Sequence, residues 1–192
     1  MDKRYISPQQ LLKDAYALGV RVVERGFIPN YLIGIWRGGT PVAIAMHELM
    51  DVLGIATDHF AIRTQSYEGI GQRANTISVD GLGYLRTRAA AGDAVLLVDD
   101  VYDTGLSVQQ VVTELKQLYA DKAVDIRVAT PYFKPKNNRT ACEPDFFLET
   151  TDRWLVFPHE IEGLTLDEIR AHKPELAAAM PLLTGRLEGN SS

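Results

Sequence analysis

The chain has 192 residues, 46% of them hydrophobic, which is enough for one domain with a well-buried core. Its net charge of -5 at pH 7 leaves no overall positive field that could hold nucleic acid by its phosphates, so nucleic acid is not an expected partner. A single cysteine, Cys142, excludes an internal disulfide and is expected to be a passive, partly buried thiol. The N-terminus carries no apolar secretory segment, and no apolar run approaches the roughly 18 residues of a membrane span, so we expect a cytoplasmic protein with no membrane partner.

The first part of the chain predicts helix, strand and helix. Residues 7–25 begin with Ser-Pro-Gln-Gln, a pattern typical of a helix start, and continue with helical spacing of apolar residues. YLIGIW at 31–36 is a short apolar run that indicates a buried strand. After a glycine loop, Thr40-Pro41 is expected to supply the cap and first position of a second helix, which Gly54 ends.

The middle of the chain repeats this pattern. Residues 55–62 are a further strand candidate, whereas 63–83 is polar, contains four glycines and predicts a long mobile loop or ribbon. AVLLV at 94–98 is the most strand-like run, and residues 108–120 have the apolar spacing of a helix. Residues 124–130 predict the next strand.

Two late strand candidates, FFLE and WLVF, follow a connection rich in turn-forming and basic residues. Strands that alternate with helices predict right-handed crossovers and an α/β fold, with a doubly wound, mainly parallel sheet and helices on both faces. Ligands of such sheets bind at the carboxyl ends of the strands. The loops at 36–40 and 99–107 both lie at that edge.

Three acids and a phosphate-type loop follow the strand at 94–98. Asp99 and Asp100 stand at the strand end, and Asp103 comes three residues later. The next residues are Thr104, Gly105, Leu106 and Ser107, which suit an anion bound at a helix start. Unpaired N–H groups and the helix dipole attract negative charge there. Carboxylates accept hydrogen bonds from sugar hydroxyls and can hold Mg²⁺, so a phosphorylated ribose would use both parts of the motif.

The loop Arg37-Gly38-Gly39 is a second anion-binding candidate, because it combines glycines with the permanent positive charge of Arg37. It suits a second phosphate or a pyrophosphate. The sequence therefore predicts a ligand with phosphates at two ends and hydroxyls between them. The alternatives are that the three acids are solvated residues and a helix cap, and that Arg37 is an ordinary surface arginine.

VLLVDDVYDTGLS resembles the 5-phosphoribosyl-1-pyrophosphate (PRPP) signature of the type I phosphoribosyltransferases, and the resemblance extends over roughly residues 30–162. It implies one phosphoribosyltransferase domain over 1–192, with its core at about 28–162 and a C-terminal segment at 163–192. It also implies a small hood formed by the terminal segments, a mobile lid loop, magnesium as cofactor, and a homodimer or higher homo-oligomer.

The resemblance assigns further parts of the PRPP site. IWRGGTP looks like the pyrophosphate loop of the family, in which the peptide bond before the basic residue, here Trp36–Arg37, is often cis. The segment 63–83 corresponds to the family's mobile lid, with Ser66 and Tyr67 matching a Ser-Tyr pair often found there.

FKP (133–135) and DRWLVFPHE (152–160) are similar to the hypoxanthine and xanthine-guanine branch. On this resemblance Lys134 contacts the 6-oxo group, Trp154 stacks on the purine and the Leu155 backbone meets the base edge. Glu160 falls where that branch commonly has a magnesium-binding aspartate. The alternatives are that Trp154 is plain core and Lys134 a solvated loop lysine.

The implied reaction joins a 6-oxopurine to PRPP, giving a nucleoside 5'-monophosphate and pyrophosphate, a step of purine salvage. Asp103 would act as general base on a ring proton, while Asp99 and Asp100 position the ribose as its positive charge develops. Arg37 and Mg²⁺ would stabilise the departing pyrophosphate, with Mg²⁺ held by Asp99, Asp100 and Glu160, largely through PRPP.

Other functions remain open at this point. A PRPP-binding regulator of the same fold could bind nucleic acid, although the acidic charge disfavours this. A phosphoribosyltransferase could act instead on a pyrimidine or on adenine. A phosphoacceptor receiver domain also pairs acids with Mg²⁺, but no phosphate loop directly follows them in that class.

Overall fold

Nine β-strands and five α-helices lie within residues 2–67 and 76–189, which are the part of the chain that the computed structural model describes. In chain order they are β1 Lys3–Tyr5, α1 Pro8–Glu24, β2 Tyr31–Trp36, α2 Gly39–Val52, β3 Asp58–Tyr67, β4 Thr76–Asp80, β5 Asp93–Val98, β6 Val101–Tyr102, α3 Leu106–Tyr119, β7 Val124–Phe133, β8 Phe146–Thr150, β9 Trp154–Val156, α4 Leu166–His172 and α5 Met180–Gly189. Two 3-10 helices are also present, Leu82–Thr87 and Pro174–Ala179. Among the described residues, none of the helices is both long and apolar enough to cross a bilayer.

The contacts divide the chain into two compact units. The larger unit is Leu12–Asp152, and the smaller combines Met1–Leu11 with Arg153–Ser192. That the whole chain forms one domain stays a prediction.

The larger unit contains a mainly parallel sheet, as predicted. Its strand order is β4-β3-β2-β5-β7, with β6 and β8 also pairing with β7. All pairs are parallel except β3 with β4. The central position of β2 and β5 brings their carboxyl ends side by side, since Gly34 pairs with Val98.

The core explains why β5 is so readily predicted. Its residues Val95, Leu96, Leu97 and Val98 are all fully buried, as expected for a parallel strand covered on both faces. Val111 and Leu115 of α3 pack in the same core, spaced to lie on one side of the helix.

Helix α2 begins earlier than the sequence predicts. Thr40 is not its cap, because the helix starts at Gly39 and Gly38 already has helical dihedral angles of -69° and -34°. The N-cap residue, Gly38, has no side chain that could cap the helix. The glycine loop itself turns into the helix, and the Asp99 carboxylate accepts a hydrogen bond from the backbone of Gly39.

The region from 55 to 83 also differs in detail. The strand predicted for 55–62 lies at Asp58–Tyr67 instead. The polar segment 63–83 contains an antiparallel ribbon, in which Arg63 pairs with Asp80, and the start of a 3-10 helix. Part of the predicted lid, residues 68–75, lies outside the described residues.

The smaller unit joins residues near the start of the chain to a segment that follows residue 152. Strands β1 and β9 pair in parallel, with Lys3 opposite Trp154 and Tyr5 opposite Val156. Helix α4 begins with a capping box, in which Thr165 and Glu168 each accept a hydrogen bond from the other's backbone N–H.

Candidate active site

Two loops meet where β2 and β5 end. Residues 37–39 follow β2, and residues 99–105 follow β5. Because these strands are parallel neighbours, both loops lie at the carboxyl edge of the sheet. The structure thus brings together the two phosphate-type loops that the sequence predicts at that edge.

Gly38 and Gly39 pack closely against the end of β5 and the acid pair. A Cβ atom on Gly38 would overlap the Asp100 carboxylate. One on Gly39 would overlap the Val98 carbonyl and lie 2.8 Å from the Asp99 Cα. Glycine is therefore needed at both positions for this close approach. The peptide bond between Trp36 and Arg37 is cis, as predicted.

The acid pair sits in a poorly solvated position. Asp100 is 7% exposed, and its N–H donates to Asp99 Oδ1 at 3.0 Å. Burial raises the pKa of Asp99 well above its usual range, and the neighbouring Asp100 raises it further. Hydrogen bonds from the backbones of Asp100 and Gly39 act in the opposite direction on that pKa. A ligand that donates hydrogen bonds or carries positive charge would relieve this repulsion.

The phosphate-type loop is shaped by Gly105 at the N-terminus of α3. Gly105 has a φ of 75°, in the left-handed region that favours glycine, and a Cβ there would lie 2.5 Å from Cε1 of Tyr102. Thr104 Oγ1 accepts from Leu106 N at 3.4 Å. A cavity of about 200 Å³ is lined by Asp99, Asp100, Val101, Tyr102, Asp103, Thr104, Gly105, Ser107 and Val108.

The segment after β7 braces this loop. Lys134 N donates to Tyr102 O at 2.9 Å, and Arg139 N donates to Thr104 O at 3.0 Å. Tyr102 OH lies 3.0 Å from Thr140 Oγ1 and donates to the Cys142 carbonyl at 3.2 Å. The expectation of a partly buried thiol is wrong, because Cys142 is exposed; its backbone, not its side chain, is used here.

Asp103 is held by two donors. Lys134 Nζ lies 3.1 Å from Asp103 Oδ2, and Asn137 Nδ2 donates to Asp103 Oδ1 at 2.8 Å. The Lys134 side chain is only 7% exposed, so it is not a solvated loop lysine. Asn137 was not predicted, because an asparagine in a turn-rich segment is ordinary and only its position three residues after Lys134 singles it out.

The remaining base-site candidates belong to the smaller unit. Trp154 is 51% exposed and so is not a core residue, whereas Leu155 is buried and pairs with Arg4. Glu160 Oε2 accepts a hydrogen bond from Phe157 N at 3.0 Å. Their contribution to one base site with Lys134 stays a prediction.

The lid residues are described only in part. Ser66 and Tyr67 are the last residues of β3 and pair with Ile77 and Thr76 of β4. Their side chains lie outside the described part of the structure, so the lid stays a prediction.

Residues 10–168 match the family model of the phosphoribosyl transferase domain. A curated xanthine-guanine phosphoribosyltransferase from Desulfotalea psychrophila is 29% identical over 159 residues, which cover 82% of this chain and 86% of that protein. One from Nitratidesulfovibrio vulgaris is 28% identical over 160 residues, covering 80% and 82% of the two chains.

Solved structures agree with the match. A purine phosphoribosyltransferase from Pyrococcus horikoshii has a TM-score of 0.65 and 28% identity, covering 86% of this chain and 98% of its own. A Helicobacter pylori xanthine-guanine-hypoxanthine phosphoribosyltransferase, at 22% identity and a TM-score of 0.65, covers 88% and 99% and shares the fold. The predicted fold class and family resemblance are both confirmed, and this chain belongs to the phosphoribosyl transferase domain family.

Proposed function

We propose that this chain transfers the 5-phosphoribosyl group from PRPP to a 6-oxopurine, giving a nucleoside 5'-monophosphate and pyrophosphate in purine salvage. The main support for this function is that the loop at 37–39 packs on Asp99 and Asp100, while Asp103 in the same site is paired with Lys134. The xanthine-guanine and purine enzymes among the relatives support a purine acceptor.

PRPP has groups that match each part of the loops. The first turn of α3, with Thr104, Gly105 and Ser107, suits the 5-phosphate, because unpaired backbone N–H groups point from a helix N-terminus. Arg37 and the Gly38-Gly39 backbone suit the pyrophosphate. Asp99 and Asp100 suit the ribose hydroxyls between them, since carboxylates accept hydrogen bonds from a diol.

The acid pair also fits a divalent cation. In the described residues, no cluster of three or more histidine, cysteine, aspartate or glutamate side chains could hold a metal alone. Two carboxylates suit Mg²⁺ bound mainly through substrate oxygens and water. When bound, the ion supplies charge stabilisation to the leaving pyrophosphate. Asp99 and Asp100 would hold it, and Glu160 would contribute its Oε1, since its Oε2 accepts a hydrogen bond from Phe157 N.

The Lys134–Asp103 pair favours a 6-oxopurine. The 6-oxygen and ring nitrogen 7 lie side by side on one edge of such a base. A lysine ammonium only donates, so Lys134 suits the 6-oxygen, and a carboxylate accepts, so Asp103 suits a proton on nitrogen 7. Adenine presents an amino donor in place of the 6-oxygen, and a pyrimidine has no nitrogen 7.

Asp103 acts as the general base in this scheme. It accepts the ring proton as the base nitrogen attacks the anomeric carbon. Asp99 and Asp100 hold the ribose while its ring gains positive charge, and Arg37 receives the departing negative charge. Closure of a lid at Ser66 and Tyr67 would exclude water that otherwise hydrolyses PRPP.

In the smaller unit, Trp154 is proposed to stack on the base and the Leu155 backbone to meet its edge. The partners of the protein are then small molecules, PRPP and a purine. A homodimer or higher homo-oligomer is proposed from the family resemblance, and light scattering of the purified protein measures its mass.

One assay tests the function. The protein is incubated with PRPP, Mg²⁺ and each nucleobase separately, and pyrophosphate release is measured. We expect release with hypoxanthine, guanine or xanthine. Release with adenine or a pyrimidine alone would contradict the acceptor class. If calorimetry with Mg²⁺ showed no heat of PRPP binding, the assignment of the two loops would fail.

A further inference from the structure

Helix α4 contacts β1, one of the two strands of the small β1–β9 sheet. Glu168 Oε1 accepts from Lys3 Nζ at 2.5 Å and from Tyr5 OH at 2.9 Å. The His172 ring stacks on Tyr5 with ring centroids 3.8 Å apart. A two-stranded sheet with three paired residues in each strand is marginal alone, so contacts of this kind must help to hold it.

Lys173, the residue after α4, contacts the other strand. Its Nζ donates to the carbonyl oxygen of Phe157, which directly follows β9. Lys173 is 2% exposed, and burial lowers its pKa, while Glu175 and Glu160 raise it. The Lys173 ammonium group therefore binds the Phe157 carbonyl inside the smaller unit and is not exposed to solvent.

The same carbonyl closes a turn that carries Glu160. Glu160 N donates to Phe157 O at 3.0 Å, and Phe157 N donates to Glu160 Oε2 at 3.0 Å. Lys173 adds a further donor to that carbonyl. Since Phe157 continues β9, fixing Phe157 also fixes how Trp154 and Leu155 are presented.

A lysine is an unfavourable residue to bury. Its ammonium group loses hydration, and a hydrophobic side chain of similar length could fill the space without that loss. The Phe157 carbonyl already accepts from Glu160 N, so Lys173 is not required to satisfy it. This favours a role in orientation over a role in stability.

We propose that Lys173 is a positioning residue for the acceptor base: its hydrogen bond to Phe157 sets the orientation of β9, where Trp154 and Leu155 lie. The inference rests on the proposed function, because it takes these two residues as the ones that contact the purine. It gives the C-terminal segment a part in base binding that its sequence does not suggest.

The test compares Lys173→Met with the wild-type enzyme and with Arg170→Met. Arg170 is a matched control, because it is a cation on α4 whose partner is Asp167, at 3.2 Å. We expect the KM for the purine to rise about tenfold in Lys173→Met, because a misoriented β9 would weaken roughly one contact between the base and Trp154 or Leu155. The KM for PRPP should stay within about twofold, since both phosphate loops belong to the larger unit and Lys173 belongs to the smaller one. Arg170→Met should leave both values unchanged.

A melting temperature separates orientation from stability. It should change by no more than about 2 °C in Lys173→Met. A wild-type purine KM in that variant would overturn the inference, as would a parallel change of both KM values and the melting temperature. If the variant does not fold, Lys173→Gln is measured instead, with the same expected rise in purine KM because its amide is too short to reach Phe157. Failure of both to fold would indicate a structural role and overturn the inference.

The wild-type enzyme distinguishes the two proposals. If it releases no pyrophosphate with any purine, the proposed function fails and the inference falls with it. If the wild-type enzyme is active with a purine, and the Lys173 variants have the same KM values as Arg170→Met, the proposed function stands and the inference alone is wrong.

Discussion

The orientation of the Asp103 carboxylate is fixed by its neighbours. Lys134 and Asn137 donate to its two carboxylate oxygens, so the carboxylate is oriented before any ligand binds. The sequence motif identifies Asp103 and the resemblance identifies Lys134, but their pairing joins two segments that are far apart in the chain. Asn137 has no signal of its own, and only the fold places it beside Asp103.

Asp103→Asn should lower turnover about a hundredfold or more, because an amide cannot accept the purine ring proton. PRPP binding should change little, since Asp99, Asp100 and the phosphate loops remain. Steady-state kinetics and calorimetry with PRPP measure the two effects. Asp125→Asn, at an exposed acid on β7, is the control and should change neither. Equal loss of turnover and PRPP affinity would contradict the assigned role.

Gly39→Ala should weaken PRPP binding and destabilise the fold by about 1–3 kcal/mol, as expected for an overpacked site. The added methyl would overlap the Val98 carbonyl and crowd Asp99, so the two loops must separate. Urea unfolding and PRPP calorimetry measure the two effects. Gly185→Ala is the control, because a Cβ there meets nothing within 4 Å and the residue lies in α5, outside the two loops and the lid segment. A wild-type PRPP affinity in Gly39→Ala would mean that the close approach of the loops is not needed.

At the scale of elements, strands were predicted better than helix starts and short elements. β2 occupies the residues predicted for it, and β5 differs by one residue, because both are short apolar runs buried on both faces. The start of α2 was missed because a glycine loop, not a capping side chain, leads into it. β1 and β6 are too short to leave a pattern, and α4 is a charged helix of 7 residues.

The contact between α4 and β1 should make stability depend on acid pH. Hydrogen bonding by Lys3, then by the Thr165 backbone and Tyr5, lowers the pKa of Glu168 from 4.5 to about 2. A group with a lowered folded-state pKa stabilises the protein above its unfolded value and loses that effect as the pH falls through the folded value. Glu168→Gln should therefore lower the melting temperature by a constant amount above pH 4.5, and by progressively less towards pH 2.

Melting curves of Glu168→Gln and wild type, taken across this pH range, test the dependence. Glu162→Gln provides an exposed glutamate in the same unit as control. A difference in melting temperature between Glu168→Gln and wild type that did not shrink in acid would contradict the role of the Glu168 carboxylate.

At the scale of the whole molecule, the sequence predicts the α/β class and the edge of the sheet that carries the site. Alternating strands and helices, with ligand-type loops after the strands, suffice for this. It does not predict the β1–β9 pairing, because three residues at one end of the chain carry no signal for a partner near the other. The contribution of the smaller unit to the base site is for the same reason the least predictable part.

The acidic chain should not bind nucleic acid. With a net charge of -5, it lacks the general attraction that phosphate backbones require. Gel-shift assays with duplex DNA and with single-stranded RNA at physiological salt should therefore show free nucleic acid at every protein concentration. A shift that PRPP abolishes would instead favour a PRPP-responsive regulator.

The pairing of β1 with β9 also has a consequence for synthesis on the ribosome. Residues 3–5 are translated before the larger unit, Leu12–Asp152, and residues 154–156 after it. β1 must therefore wait for β9 until the larger unit has been translated. A nascent chain that stops before residue 154 contains both phosphate loops but has no partner for its opening strand.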